Sequence, residues 1–205
     1  GRLLLRQAGR YESSVGAGRE LEPKDALLVA YLAIEGPTPR GKLAAMLWPD
    51  VDDERARGNL RQRLLRLKRV TGAPLLVGDA QVQLATGIGH DLGDTHELLE
   101  AVDPEAASGF AEWLSAQRAR RRRARSDALA ASAAQAEAQG DLAAALQLAG
   151  ALLDLDPLSE EAHRRLIKLH YLRGDTGAAL AAYRRCADAL QAELVTQPSR
   201  ETREL

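Results

Sequence analysis

Between Arg55 and Arg69 the sequence carries Arg55, Arg57, Arg61, Arg63, Arg66, Lys68 and Arg69, and no acidic residue. Leu60, Leu64 and Leu67 recur at helical spacing, so this stretch is expected to be a helix with those three leucines facing inward. The step of about 100° per residue then turns Arg55, Asn59, Gln62, Arg66 and Arg69 outward. Those side chains suit base edges: an Arg fork matches guanine O6 and N7, and Asn or Gln matches adenine N6 and N7. Arg57, Arg61, Arg63 and Lys68 on the flanks, with Arg40 from the preceding segment, suit backbone phosphates. The competing reading is a solvated surface helix, which usually mixes both signs of charge. One sign sustained over the whole stretch, with amides between the cations, favours nucleic acid.

No other cluster supports an equally specific chemistry. A second basic run, Arg118, Arg120–Arg123 and Arg125, could meet phosphates or be the solvated face of a helix. His163 and His170 lie seven apart, whereas a helical metal pair is normally three or four apart. His90 and His96, like His163 and His170, are expected in structural or surface roles. The single cysteine, Cys186, permits no internal disulfide and no thiol cluster, and is expected to be a small buried thiol. Asp154, Asp156, Glu160 and Glu161 surround a turn, where Asp156 or Ser159 suits helix capping and the acids suit a helix N-terminus. The Gly87-x-Gly89 pair precedes no suitable helix, and no Ser/His/Asp set stands out. The chain is therefore expected not to be an enzyme and to need no cofactor or metal. Trp48 and Trp113 are expected as core anchors.

The elements that must position the basic stretch follow from punctuation. Arg2–Arg6 and Tyr11–Val15 are expected as short strands, separated by turns at Ala8-Gly9 and Gly16-Ala17-Gly18. Pro23 opens a helix at its first turn, and Gly36-Pro37 ends it. A second helix runs from about Pro39 to Leu47, stopped by Trp48-Pro49-Asp50. The basic helix begins near Asp53 and closes at Gly72. Pro74–Val77, Gly78-Asp79 and Gln81–Ala85 read as a β-hairpin. Strands, three helices and a hairpin is the order of a winged helix-turn-helix, with the third helix as reader and the hairpin as wing.

Beyond residue 86 comes a linker with a short helix near His96–Val102, then a helical pattern from Phe110 onward. Gly140-Asp141-x-x-Ala144-Ala145-Leu146 recurs as Gly174-Asp175-x-x-Ala178-Ala179-Leu180, an offset of 34 residues, which is the period of tetratricopeptide repeats. Gly-Asp marks the turn within a helical hairpin, and Asp156-Pro157 marks the boundary between hairpins. With 45% apolar residues but only 3% aromatic, the core must be built from Leu, Ala and Val, which suits stacked helices. The expected fold class is mainly α: an N-terminal winged helix-turn-helix (α+β) over residues 1–90, a linker over 91–109, and an all-α tetratricopeptide-like domain over 110–205. No apolar run reaches the roughly 18 residues that span a bilayer, and no signal-peptide pattern opens the chain. A cytoplasmic setting without membrane contact is expected. The net charge of −1 neither points to nucleic acid nor excludes it. The chain stops at Leu205 without a helix-ending signal, as a piece of a longer protein would.

Leu27–Ala33, Pro39–Asp50, Ala56–Gln62 and Arg66–Arg69 together resemble the winged helix of bacterial activators of the antibiotic-regulatory-protein type, itself similar to that of response regulators. Trp113-Leu114, Arg118, Leu155–Leu158, Glu160–Arg164, Gly174-Asp175, Ala179-Leu180, Tyr183, Cys186 and Pro198-Ser199 resemble the bacterial transcriptional activator domain that follows it. The resemblance covers nearly the whole chain, loosely over Gly1–Gly18 and without distinctive features over Gly72–Ala85. It implies an activator that binds repeats in double-stranded promoter DNA and contacts RNA polymerase. It also implies a helical domain that supports a homodimer, and further C-terminal domains in longer members. The rival reading is a tetratricopeptide-type protein–protein adaptor whose N-terminal part is passive. Replacing Arg66 and Gln62 separates the two, because an adaptor would not need them.

Overall fold

A computed structural model describes residues 5–7, 21–72, 74–90, 97–100, 102–103 and 109–205. The described residues are mainly helical and divide into two compact units, Gly1–Arg120 and Arg121–Leu205.

In the first unit, α1 (Pro23–Glu35) starts with Pro at its first turn and ends at Gly36, whose N–H reaches Leu32 O at 3.1 Å. Asp25 through Leu32 are all buried, so α1 is the central rod of the core. Two residues, Thr38–Pro39, form β2 before α2 (Arg40–Leu47) begins. Pro39 is therefore the end of a strand and not the start of the second helix. A short turn leads into α3 (Asp53–Thr71), where Asp52 caps the helix by accepting the Arg55 N–H at 3.0 Å. Asp53 and Glu54 sit in the first turn and Lys68 and Arg69 in the last, each sign where the helix dipole favours it.

β3 (Leu76–Val77) and β4 (Gln81–Leu84) pair antiparallel as the expected hairpin, with Leu76 opposite Leu84. β2 adds to the other edge of β4, with Thr38 opposite Val82, giving the order β2-β4-β3. A separate pair joins β1 (Leu5–Gln7) to β5 (Ile88–His90), with Leu5 opposite His90. Neither β2 nor β5 is signalled by alternation, because each is too short to show a period. The expected strand at Tyr11–Val15 lies outside the described residues.

The core of this unit gathers Leu27, Leu28, Leu32, Leu43, Leu47, Leu60 and Val82 with Leu98, Leu99, Val102, Phe110 and Leu114. Leu98, Leu99 and Val102 belong to the segment expected as a linker. No helix forms at residues 97–100, where a helix near His96–Val102 is expected; Leu98–Glu100 is a turn in which Leu99 has φ 49°. Arg118 holds this turn, donating to the carbonyls of Leu98 (2.9 Å), Leu99 (2.5 Å) and Val102 (2.9 Å). The first basic residue of the second run is thus committed to internal carbonyls. Tyr31, Phe110 and Trp113 form an aromatic cluster, with Tyr31 centroids 5.3 and 5.0 Å from the other two. Trp113 also donates to Glu35 Oε1 at 2.8 Å. Gly109 presses its backbone on α2: a Cβ there would stand 2.6 Å from Met46 O. Both tryptophans are half-buried, packed on the edge of the core.

α4 (Ala111–Ala138) carries the division between the units. The second unit continues with α5 (Leu142–Leu155), α6 (Glu160–Leu172), α7 (Thr176–Leu194) and the short α8 (Arg200–Arg203). The 34-residue recurrence becomes two equivalent turns. Gly140 and Gly174 adopt φ 75° and 81°, where an L side chain would be strained. Asp141 and Asp175 then cap α5 and α7 by accepting the N–H of Ala144 and Ala178, each at 2.9 Å. Ala145, Ala149, Ala179 and Ala182 lie buried among Leu166, Ile167 and Leu169, and their small size lets the helices approach closely. Ser159 caps α6.

Candidate nucleic-acid interface

The face of α3 that meets solvent is fixed by what the helix buries. Ala56, Leu60 and Leu67 are buried, and Leu64 is half-buried on the same stripe. All five residues expected to face outward, Arg55, Asn59, Gln62, Arg66 and Arg69, are exposed. At about 100° per residue they share an arc of roughly 80°. Arg57, Arg61 and Lys68 are exposed too and fall together on the opposite flank of the buried stripe.

Arg63 does not join them. Its side chain is 17% exposed, and its Nη1 lies 2.7 Å from Asp25 Oδ1 and 3.6 Å from Glu22 Oε2. The reason lies in the helix itself: seven residues, about 20° short of two full turns, separate Arg63 from buried Ala56. Arg63 therefore emerges at the margin of the core, beside the buried end of α1.

The cations of α3 also differ in how far they are neutralised. Arg55 pairs with Asp52 at 3.4 Å and Arg57 with Asp53 at 3.4 Å, both in the open. Arg66 is ion-paired with Glu22. Among the described residues, Arg61, Lys68 and Arg69 have no acidic partner. Arg40 donates to Gly78 O at 2.8 Å, which ties the start of α2 to the hairpin turn, while its buried Nε has no acceptor among the described residues. Arg40, Arg57 and Arg61 converge with Gly58 and Leu60 around an open pocket. Three basic residues thus line one depression.

Two residues of the face carry no signal in the charge pattern. Leu65 is 45% exposed, and its helical angle puts it nearly opposite the buried stripe, so the periodicity that places Gln62 and Arg69 outward places Leu65 with them. Glu22 lies far away in sequence, and no spacing rule connects it to Arg66.

His163, Cys186 and Glu160 are engaged within the second unit. His163 is buried, with Nε2 3.0 Å from Pro157 O. Among the described residues no three His, Cys, Asp or Glu side chains are grouped to hold a metal. Cys186 is fully buried, and burial together with the Glu160 carboxylate pushes its thiol pKa up. At Glu160 burial pushes the carboxyl pKa up, but hydrogen bonds from Thr202 and Ser199, with Arg164 nearby, outweigh it and hold the group below its ordinary value. Glu160 Oε2 accepts from Ser199 N (2.8 Å), Ser199 Oγ (2.7 Å) and Thr202 Oγ1 (2.5 Å), clipping α8 to α6. No described helix is long and apolar enough to cross a membrane.

The family model of the bacterial transcriptional activator domain matches residues 92–205, more than half of the chain. The chain belongs to the bacterial transcriptional activator domain family. This is a family of regulatory domains of transcriptional activators and not of enzymes. No curated protein matches the chain. The activator-domain match takes in the turn at Leu98–Glu100 and α4 to α8. It begins after β5, so α3 rests on its own geometry.

Proposed function

We propose that this activator-domain protein is a sequence-specific DNA-binding transcription regulator, an activator that binds promoter repeats and contacts RNA polymerase. The observation that carries the reading is the exposed face of α3 over Arg55–Arg69, a stretch with no acid of its own and with amides set between cations. The order α1, β2, α2, α3, β3, β4 supports a winged helix in which α3 enters the major groove. Arg55, Asn59, Gln62, Arg66 and Arg69 then face base edges. Arg40, Arg57, Arg61 and Lys68 take backbone phosphates, the first three around their shared pocket. Arg63 leaves this set, because its guanidinium is engaged by Asp25. Leu65 joins it, as an apolar contact for a thymine methyl. The repeat-built helical part carries the dimer contact.

The test is selection from random duplex DNA at several salt concentrations, comparing the wild type with the double variant Arg66→Ala/Gln62→Ala. Enrichment of a repeated motif that the variant loses supports the regulator. Equal, weak binding by both at physiological salt removes α3 from the role of reader. It would favour the adaptor reading, for which the exposed Tyr171, Leu172, Leu180, Leu194 and Val195 offer apolar surface.

A further inference from the structure

We infer that Glu22 is a positioning residue for base recognition: it holds the Arg66 guanidinium in one orientation on the exposed face of α3. The inference rests on the reading of α3 as the element that meets DNA, and deepens it by separating the cation that reads from the cations that merely attract.

Four side chains form a relay from the core to the surface. Asp25, 7% exposed, holds Arg63 Nη1 at 2.7 Å. Arg63, 17% exposed, faces Glu22 Oε2 at 3.6 Å. The other oxygen of Glu22, Oε1, accepts a hydrogen bond from Arg66 Nη2. Arg66, at the outer end, is 54% exposed. Both oxygens of Glu22 are thus engaged, by different guanidiniums, and the inner one is anchored in the core. Glu22 has a further natural use for its carboxylate, because it precedes α1 at the capping position. Its side chain makes no capping bond there; only its carbonyl does, accepting from Asp25 and Ala26 at 2.9 Å each. The carboxylate is committed to α3 instead.

Two consequences follow for Arg66. An arginine has many rotamers and five N–H donors in a planar fork. One donor is spent on Glu22, which restricts the orientation of the guanidinium and leaves the others for a partner. Two carboxylates also balance two guanidiniums, so the quartet has no net charge. Such an arginine is a poor phosphate binder, because phosphate affinity follows unneutralised charge. It remains a good directional donor, because the fork pattern of a base edge is met by hydrogen bonds. The Glu22 carboxylate repels backbone phosphates, which weakens binding to duplexes that offer no matching base. Arg61 and Lys68, without acidic partners among the described residues, supply the attraction.

The experiment is duplex selection followed by binding titrations with the full chain carrying Glu22→Ala, Glu22→Gln, Arg66→Ala or Glu22→Ala/Arg66→Ala. Arg66→Ala identifies the base pair that depends on Arg66. Glu22→Ala is expected to lower discrimination at that same base pair by about tenfold, to leave other positions unchanged, and to tighten binding to random duplex. Glu22→Gln, which keeps an acceptor oxygen, is expected to recover part of the discrimination. The double variant is expected to match Arg66→Ala. The inference is overturned if Glu22→Ala keeps full discrimination, loses it equally at all positions, or adds its loss to that of Arg66→Ala. Should Glu22→Ala melt below the assay temperature, Glu22→Gln carries the same comparison. Absence of any enriched motif with the wild type is a different result: it removes the DNA reading itself, and this inference with it.

Discussion

At the scale of single residues, a row of cations that looks uniform in sequence becomes several kinds of group. Arg63 is the clearest case. Removing it leaves Asp25 buried without its partner, a penalty that removing an exposed arginine would not incur. Arg63→Ala is expected to destabilise the protein by about 3 kcal/mol, measured by denaturant unfolding, whereas Arg61→Ala is expected to change stability by less than about 0.5 kcal/mol. Under the proposed function Arg61 and Lys68 act instead on attraction. Each is expected to reduce the slope of log affinity against log salt by about 0.9 when replaced by Ala, in titrations across several salt concentrations. Charge alone could not separate these groups, but position could in part. The periodicity that puts Leu60 and Leu67 inside puts Arg63 at the edge of the core and Leu65 outside. The pairing of Arg66 with Glu22 was not legible, because it joins α3 to the segment before α1 and depends on how the two helices pack.

At the scale of elements, strong punctuation marks the helix ends. Pro23 and Gly36 bound α1, Asp52 and Gly72 bound α3, and the two Gly-Asp turns carry the caps of α5 and α7. Each cap contributes one hydrogen bond to an otherwise orphaned N–H. Asp141→Ala and Asp175→Ala are therefore each expected to cost about 1 kcal/mol, of similar size at both sites, in thermal or chemical denaturation. The turn at Leu98–Glu100 was not legible for an instructive reason. Leu98, Leu99 and Val102 have the one- and four-residue spacing of a helix face. In the folded unit all three are buried, and Arg118 takes up the carbonyls that a helix would have satisfied internally. Tertiary contacts here override the local pattern. β2 and β5 are not legible in the sequence because such short segments are defined by their pairing partners and not by their own alternation.

At the scale of the whole molecule, a net charge of −1 conceals a strong local imbalance, with the acid-free cationic stretch of α3 offset elsewhere in the chain. The repeat offset of 34 residues was the most informative long-range signal, since it fixes turns, caps and buried alanines together. Glu160 and Arg164 of α6 both hold the last element, and Glu160 is the one of the two whose titration is shifted. Glu160 has a folded-state pKa below its ordinary value, so its contribution is complete above the unfolded carboxyl pKa of about 4.3. That contribution is lost as pH falls through the lower folded value. Acid unfolding of Glu160→Gln is expected to depend less steeply on pH in this range than that of the wild type. At neutral pH the variant is expected to be less stable by about 1–2 kcal/mol. Equal pH profiles would show that Glu160 does not hold α8.

Gly109 faces solvent, and by its exposure it should tolerate almost any replacement. Its missing side chain is nevertheless where the Met46 backbone passes, and backbone cannot swing aside as a side chain can. In a library covering every substitution, position 109 should therefore be depleted as severely as Leu27 or Phe110, with Ala scarcely better tolerated than Trp. Surface accessibility would misjudge this site, because the constraint lies in the space a neighbour already occupies.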